Sequence, residues 1–598
     1  MRPVVEPTTE PATVEFVDDG YRWCVVRDHA ANVRSSRVDW FALREGPGVV
    51  LVKHNGRREV WRVTCGDRDY FVKLYHPTDT LSKLKLMLRG PAATREWKVG
   101  AYAAAHSITT VVPVATALKG FRGTGGASLL ITEAVDGVEP LNDYWLRVRD
   151  DRHRANLLNE SLAKLIARAH QCGFQHDDMH PGNILVKEAG RRGEVLFVDL
   201  HSVRIGRSVS VKEVFANLAQ LHQWFRSHST LTRRWRFLEH YVAFRHRYAQ
   251  ASPLARNFSF DPKRLVTQVA LQAQKHADRL WSKRDRRTRR TGRYFARIRP
   301  ASGWRGHVLL KSKHPPPMAQ ASTLTYTRRQ WAQWLKSPLE WVDGQKQHVV
   351  KDSHTATICK ATLPADPAPA TVIVKRPLAR NAWKRLTMWF GPSRNMRAWR
   401  MANMLLNRDL PVAQPLAVVD RYALGLIRID SVSFTDFLPD SADLETFLAR
   451  DVASLPHARQ RQVKDRLIVS VSNLIKTFHD RGFVHRDFKA SNLLLKWPAP
   501  YEVFPSFALI DMDGIRHVRR TTDKQRHRAV ARLCASLLGG PACTLTDQLR
   551  FLKRYLAARG RAACDWRVVW RELEGQVCDK QHAKTLRRQW KLAHYGRE

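Results

Sequence analysis

Alternation of apolar and polar positions marks Val49–Lys53, Glu59–Thr64 and Tyr70–Leu74 as three short strands, the first two joined by the turn-forming run His54-Asn-Gly-Arg57. The period then lengthens. A helix is expected around Ala92–Ala105, a strand at Ser128–Thr132, and a further helix whose Leu158, Leu162, Leu165, Ile166 and Ala169 share one face. A short strand–loop–strand comes next, and the remainder of this stretch reads as helical. The same order returns later in the chain, where Leu467, Ile468, Val471, Leu474, Ile475 and Phe478 form the corresponding helix face. Each stretch therefore predicts an α+β unit: a small β-rich lobe followed by a larger helical one.

Residue-by-residue matches show that the two stretches are copies of each other. His170-Gln-Cys-Gly-Phe-Gln-His176-Asp-Asp178 recurs as His479-Asp-Arg-Gly-Phe-Val-His485-Arg-Asp487. Leu231-Thr-x-x-x-Arg236-Phe237-Leu238-x-x-Tyr241 recurs as Leu545-Thr-x-x-x-Arg550-Phe551-Leu552-x-x-Tyr555, and Gly90-Pro91 with Trp97 matches Gly391-Pro392 with Trp399. Three matches in the same order at a nearly constant offset mean duplication. The expected organisation is an extension over 1–44, a first domain over 45–300, a linker and lead-in over 301–344 around the helix-breaking His314-Pro-Pro-Pro317, and a second domain over 345–598.

The chemistry-bearing residues fall at matching places in both copies. Lys73 ends the strand Tyr70-Phe-Val-Lys73, and Glu96, the only acid between Asp79 and Glu133, lies on the next helix, where it can pair with that lysine. His176-Asp-Asp178-Met-His-Pro-Gly-Asn183 gives D-x-x-x-x-N, and Asp199 comes directly after Leu196-Phe-Val. In copy two the counterparts are Lys375 after Val372-Ile-Val, Asp487 and Asn492 in His485-Arg-Asp-Phe-Lys-Ala-Ser-Asn492, and Asp511 in Leu509-Ile-Asp-Met-Asp513. Phosphoryl transfer needs a cation on the nucleotide phosphates, carboxylate and amide ligands for Mg²⁺, and an acid beside the incoming hydroxyl. Lys73 and Lys375 suit the first task, with Glu96 holding Lys73. Asn183, Asp199, Asn492 and Asp511 suit the second, and Asp178 and Asp487 the third. His176 and His485 are expected to brace their loops rather than to act as bases. Copy two has no acid between Lys375 and Asp409; the position aligned with Glu96 holds Arg397 or Ala398.

The order of these parts is that of the protein-kinase-like fold, and the chain resembles the Kdo/heptose lipopolysaccharide kinase family, a bacterial branch of that fold, in tandem duplicate. The resemblance rests on His176-Asp-Asp-Met-His-Pro-Gly-Asn-Ile-Leu185 with Val198-Asp-Leu-His201, and on the Leu-Thr-x-x-x-Arg-Phe-Leu-x-x-Tyr helix of both copies. It implies ATP and Mg²⁺ as cofactors and a sugar hydroxyl of a membrane glycolipid, such as the lipopolysaccharide core, as acceptor. Neither turn at His54–Arg57 nor at Asp352–Thr355 carries G-x-G-x-x-G, but backbone N–H groups of such turns can cover phosphates by themselves.

The segment after each metal-binding aspartate narrows the acceptor class. Protein kinases place a long stretch ending in A-P-E there, against which peptides dock. Here a helical pattern resumes near Val211 and near Lys524 with no A-P-E before it, which favours a sugar or lipid-linked acceptor. A serine/threonine-type protein kinase, or a kinase–pseudokinase pair with domain 2 regulatory, is the alternative.

Composition adds a partner and a place. With 101 Lys+Arg against 55 Asp+Glu the formal net charge is +46, a surface that attracts polyanions. Leu81–Arg89 and Trp383–Phe390 are apolar on one side with basic residues between, and a basic run extends from Arg279 to Arg293; both suit an anionic membrane surface. No nucleic-acid-binding motif accompanies the charge, so no specific nucleic acid is expected. The eight cysteines form no C-x-x-C pair, which argues against a zinc site and a disulfide framework. No apolar run is long enough to span a bilayer and no signal peptide is visible. The expectation is a cytoplasmic protein, peripheral on the inner face of the cytoplasmic membrane.

Overall fold

The computed structural model describes residues 12–35, 38–55, 58–76, 90–119, 127–190, 192–206, 209–250, 261–312, 324–344, 349–353, 356–365, 368–378, 391–538, 543–559 and 566–595. The turn residues Gly56 and Arg57, the turn residues His354 and Thr355, the stretches 81–89 and 383–390, and the prolines of 315–317 lie outside them. The chain forms two compact units, Met1–Arg279 and Leu280–Glu598. Among the described residues no helix is long and apolar enough to cross a membrane.

In the first unit the elements run β1 (Thr13–Asp18), β2 (Tyr21–Val26), α1 (Arg27–Ser35), β3 (Val49–Asn55), β4 (Arg58–Cys65), β5 (Arg68–Tyr75), α2 (Ala92–Ala105), β6 (Pro113–Lys119), β7 (Ser128–Glu133) and β8 (Val138–Pro140). Next come α3 (Leu141–Val148), α4 (Arg152–Gln171), β9 (Gln175–His176), β10 (Ile184–Ala189), β11 (Arg192–Phe197), β12 (Val203–Arg204), α5 (Val211–His228), α6 (Leu231–Gln250) and α7 (Pro262–Arg287), whose last residues from Leu280 fall in the second unit. Seven strands pair in the order β1-β2-β6-β7-β5-β4-β3. Alternation along β5 sends Tyr70, Val72 and Leu74 into a core with Trp23, Trp61, Leu129 and Ile131. Below it, the predicted stripe of α4 does what its spacing requires: Leu158, Leu162 and Ile166 pack with Phe174, Phe197 and Leu238. Asp151 starts α4 by accepting the backbone N–H groups of His153 and Arg154, and Ser210 with Glu213 closes a capping box on α5.

The second unit repeats the plan. Its elements are β13 (Phe295–Ile298), β14 (Trp304–Leu309), α8 (Arg328–Trp334), α9 (Glu340–Asp343), β15 (Val349–Ser353), β16 (Ala356–Leu363), β17 (Ala370–Pro377), α10 (Arg394–Leu406), β18 (Pro415–Ala423) and β19 (Ile427–Asp436). They continue with β20 (Ala442–Asp443), α11 (Leu444–Phe447), α12 (His457–Asp480), β21 (Phe483–His485), β22 (Leu493–Lys496), β23 (Ser506–Leu509), β24 (Ile515–His517), α13 (Asp523–Leu537), α14 (Leu545–Ala558) and α15 (Trp566–Tyr595). Its large sheet has the order β13-β14-β18-β19-β17-β16-β15, strand for strand that of the first.

Segments read from sequence as an extension and a linker contribute to these sheets. The hairpin β1–β2 falls within 1–44 and pairs along β6, Val25 opposite Ala115 and Trp23 opposite Ala117. Within 301–344, β14 pairs along β18 in the same way. The repeated Leu-Thr helix also acquires a purpose. Tyr241 on α6 is buried and its hydroxyl meets His170 Nδ1 of α4 at 2.9 Å, and Tyr555 meets His479 Nδ1 at 2.9 Å. These repeat residues tie two helices together away from the chemistry.

Candidate active site

Lys73 lies on β5 with its stem among buried neighbours, and its Nζ donates to Glu96 Oε2 of α2 at 2.7 Å. Glu96 is 1% exposed, and its other oxygen accepts from the Tyr75 hydroxyl. The expected lysine–glutamate pair is therefore formed, with a phenol as a third member. Asp199 stands at the same place: its Oδ1 is 3.8 Å from Lys73 Nζ, 2.7 Å from Arg58 Nη1 and 2.7 Å from His201 Nδ1. Burial by itself would raise the Asp199 pKa, but the hydrogen bond from His201, the Lys73 charge and the bond from Arg58 outweigh it. They hold the carboxylate ionised well below the usual carboxylate range.

The loop after α4 is braced from inside. His176 is fully buried; its Nε2 meets Val198 O at 3.1 Å, while its Nδ1 receives the backbone N–H of Asp178 at 3.3 Å. Burial depresses the His176 pKa, so the ring is a neutral spacer between two chain segments, as expected. Asn183 Nδ2 donates to Asp178 O at 2.9 Å and lies 3.4 Å from Asp178 Oδ2. Gln220 of α5 supports the loop, accepting from Met179 N at 2.7 Å and donating to Asp177 O at 3.0 Å. Asp178 thus faces out from a loop whose backbone N–H groups are bonded within the protein.

Copy two repeats the loop and rewires the lysine. Asp487 N donates to His485 Nδ1 at 3.1 Å, and Asn492 Nδ2 to Asp487 O at 3.0 Å. Asp511 has φ 58°, matching φ 61° at Asp199, so both aspartates sit in the left-handed region at the same point of the chain. Aspartate is among the few residue types that visit it, at a cost of about 1 kcal/mol. Among the described residues no glutamate pairs with Lys375. Its Nζ is instead 3.4 Å from Asp511 Oδ1 and 3.7 Å from Asp513 Oδ2, and Asp513 is clamped by Arg394 of α10 at 2.8 Å. Arg397 turns away to Pro392 O. The carboxylate missing from the helix is supplied by the strand–loop segment, at the position occupied by His201 in copy one.

Several of these partners were not read from the sequence. Arg58 and Tyr75 are brought to Asp199 and Glu96 by strand pairing, opposite each other across β4 and β5, and His201 reaches Asp199 from two residues further along the same turn. The signal for Asp513 was the second acid of Asp-Met-Asp. In copy one, Glu96, Asp199 and His201 can bring one ligand atom each within 4.8 Å of one another, so the acidic side of the site can hold a cation.

A β-rich lobe on a helical lobe, with a strand lysine, an Asp–Asn loop and a following aspartate in one site, defines a protein-kinase-like phosphotransferase, and the chain has this architecture twice. The model of the lipopolysaccharide kinase (Kdo/WaaP) family matches residues 42–241 and again 372–555, and the chain belongs to that family. Membership implies a kinase that uses ATP. Among solved structures, WaaP in complex with acyl carrier protein is similar at 19% identity and a TM-score of 0.30, the match covering 38% of this chain and 87% of that one. No curated protein shows significant similarity to the chain.

Proposed function

We propose that the chain transfers the γ-phosphoryl group of ATP to a sugar hydroxyl of the lipopolysaccharide core or a similar membrane glycolipid. The observation that carries the acceptor class is the short path after each metal-side aspartate: α5 begins at Val211 and α13 at Asp523, which leaves little platform for an extended peptide. In this reading Lys73, oriented by Glu96, holds the nucleotide phosphates, and Arg58 adds a second cation from the β3–β4 hairpin. Asp178 accepts the proton of the acceptor hydroxyl while the Asn183 side chain fixes the loop that carries it.

Mg²⁺ fits this site on its donor chemistry. Asp199 is held as a carboxylate, and Asn183 spends its amide nitrogen on Asp178 O, which leaves its Oδ1 as a hard oxygen donor. Asn183 and Asp199 would hold the ion in copy one, and Asn492 and Asp511 in copy two. When bound, it supplies charge neutralisation on the transferring phosphates. The basic surface then favours a peripheral position on an anionic membrane at the cytoplasmic face.

The test is transfer from labelled ATP to purified lipopolysaccharide by the full chain and by Asp178→Asn and Asp487→Asn. Label on the glycolipid that falls at least a hundredfold when both aspartates are replaced supports the reading. Label on protein only, or label on glycolipid that survives the double replacement, sinks it.

A further inference from the structure

Because the two copies share the strand order of their large sheets and repeat the same loop motif, their acceptor-side residues can be compared position by position. The capping boxes Ser210/Glu213 and Thr522/Gln525 set the register of α5 against α13. In that register Gln220 corresponds to Arg532 and Ala216 to Arg528, and along the loops Asp177 corresponds to Arg486 and His180 to Lys489. Every one of these exchanges makes copy two more positive.

The exchanged residues surround Asp487. Lys489 Nζ is 2.7 Å from Asp487 Oδ2. Arg486 sits beside Asp487 in the loop, its backbone bonded to Gly514 O at 2.8 Å. Ser536 Oγ accepts the backbone N–H of Ala490 at 2.9 Å, which places one face of α13 under the loop. Arg532 and Arg528 lie one and two turns back along that face. Arg532 is half-buried; burial lowers its pKa, Asp487 opposes that, and Arg528 and Arg486 add to it by repulsion. The strand arginine obeys the same trend. In copy one Arg204 is neutralised by Asp177 at 2.9 Å and Glu213 at 3.3 Å. Its counterpart Arg516 has Arg486 and Gln525 at those positions. Asp487, the acid beside Lys489 and Arg532 among the described residues and itself needed to receive a proton, does not balance this set of cations.

We propose that the second site is built for an acceptor that already carries an oxyanion, a phosphoryl or carboxylate group, close to the hydroxyl it phosphorylates, with Arg486, Lys489, Arg528 and Arg532 as the residues that select it. This rests on the sugar-kinase reading above and adds the acceptor's charge to it. The step itself is unchanged: Asp487 takes the hydroxyl proton, the oxygen bonds to the γ-phosphorus, and the bond to the β–γ bridging oxygen breaks to release ADP. A reaction that installs the anion must come first, and phosphorylation of a neighbouring hydroxyl by the first site is of the right class.

The experiment uses the full chain carrying Asp178→Asn, so that transfer reports on copy two. Three acceptor pools are compared with labelled ATP: untreated lipopolysaccharide, lipopolysaccharide treated with phosphatase, and lipopolysaccharide with its carboxyl groups reduced. At least a tenfold loss on phosphatase treatment identifies a phosphoryl group as the selected anion, and the same loss on carboxyl reduction identifies a carboxylate. In the same background Arg532→Gln and Arg528→Ala, which install the copy-one residues, should each raise the acceptor KM about tenfold while kcat and the ATP KM stay within twofold; tenfold corresponds to about 1.4 kcal/mol, one charge-assisted hydrogen bond. Equal use of all three pools, an unchanged acceptor KM in both variants, or no transfer by the Asp178→Asn chain to lipopolysaccharide first incubated with the Asp487→Asn chain and unlabelled ATP, overturns the proposal and leaves the sugar-kinase reading standing. No glycolipid labelling by the wild type removes both.

Discussion

Glu96→Gln probes the centre of the first site with the least change of shape. At 2.7 Å, and with an effective dielectric of about 20, the Lys73–Glu96 attraction is about 6 kcal/mol before desolvation, against about 4 kcal/mol for Lys73–Asp199 at 3.8 Å. With the carboxylate gone the balance reverses, and Lys73 is drawn onto Asp199, where it occupies the oxygen that a cation would use. Breaking a buried pair by removing one partner costs about 3 kcal/mol. The same amount in transition-state stabilisation is roughly a hundredfold in rate. The assay is kcat/KM for ATP in an Asp487→Asn background, so that only the first copy is counted, with thermal unfolding measured in parallel. A fall of roughly a hundredfold, with a Tm about 6–10 °C lower, is expected. Activity within threefold of the parent and an unchanged Tm would falsify the argument that this pair positions the lysine.

Two further outcomes are set by the geometry. Asp513→Asn, in the Asp178→Asn background, should raise the ATP KM of copy two about threefold to tenfold, because Lys375 is then left to Asp511 alone; an unchanged KM would mean that Asp513 does not stand in for the missing glutamate. Stability should fall on mild acidification. Burial pushes His170 and His479 down to about 3, and His222, His307 and His485 to about 4. The unfolded chain takes up protons below about pH 6.5 while the folded one does not, so each fully buried histidine removes about 2 kcal/mol between pH 7 and 5 and nothing above pH 7. Asp436, raised to about 6 by burial, and Asp420, also raised by burial, oppose this with two groups against five. The urea midpoint should therefore drop clearly from pH 7 to pH 5, and equal midpoints would refute the assignment of these rings as neutral.

How much of this was legible depended on whether a contact is written in spacing or in pairing. The strands around Lys73, the stripe of α4 and the braced loop at His176 arise from local periodicity and motif spacing, and the duplication allowed each to be read twice. Glu96 could be placed because it is the lone acid on its helix. Arg58 and Tyr75 could not, since what brings them to the site is the register of β4 against β5, which no local pattern encodes. Asp513 was visible as a residue but not as a partner, because its role depends on a glutamate being absent over a hundred positions earlier. The hairpin β1–β2 and the strand β14 were passed over for a similar reason: as short isolated segments they resemble an extension and a linker until β6 and β18 supply their partners.

Those hairpins bear on how the chain can be divided. A fragment starting at residue 42, where the family match begins, would keep every candidate site residue of the first copy. It would also lose β2, uncovering the hydrogen-bonding edge of β6 and the apolar neighbours of Trp23 and Val25 in the upper core. An open edge beside exposed apolar side chains recruits strands from other molecules. The same holds for a second-copy fragment that begins after β14, because β18 would be left unpaired on that side. The smallest well-folded form of either copy is therefore longer than its motif set by one hairpin at the amino end.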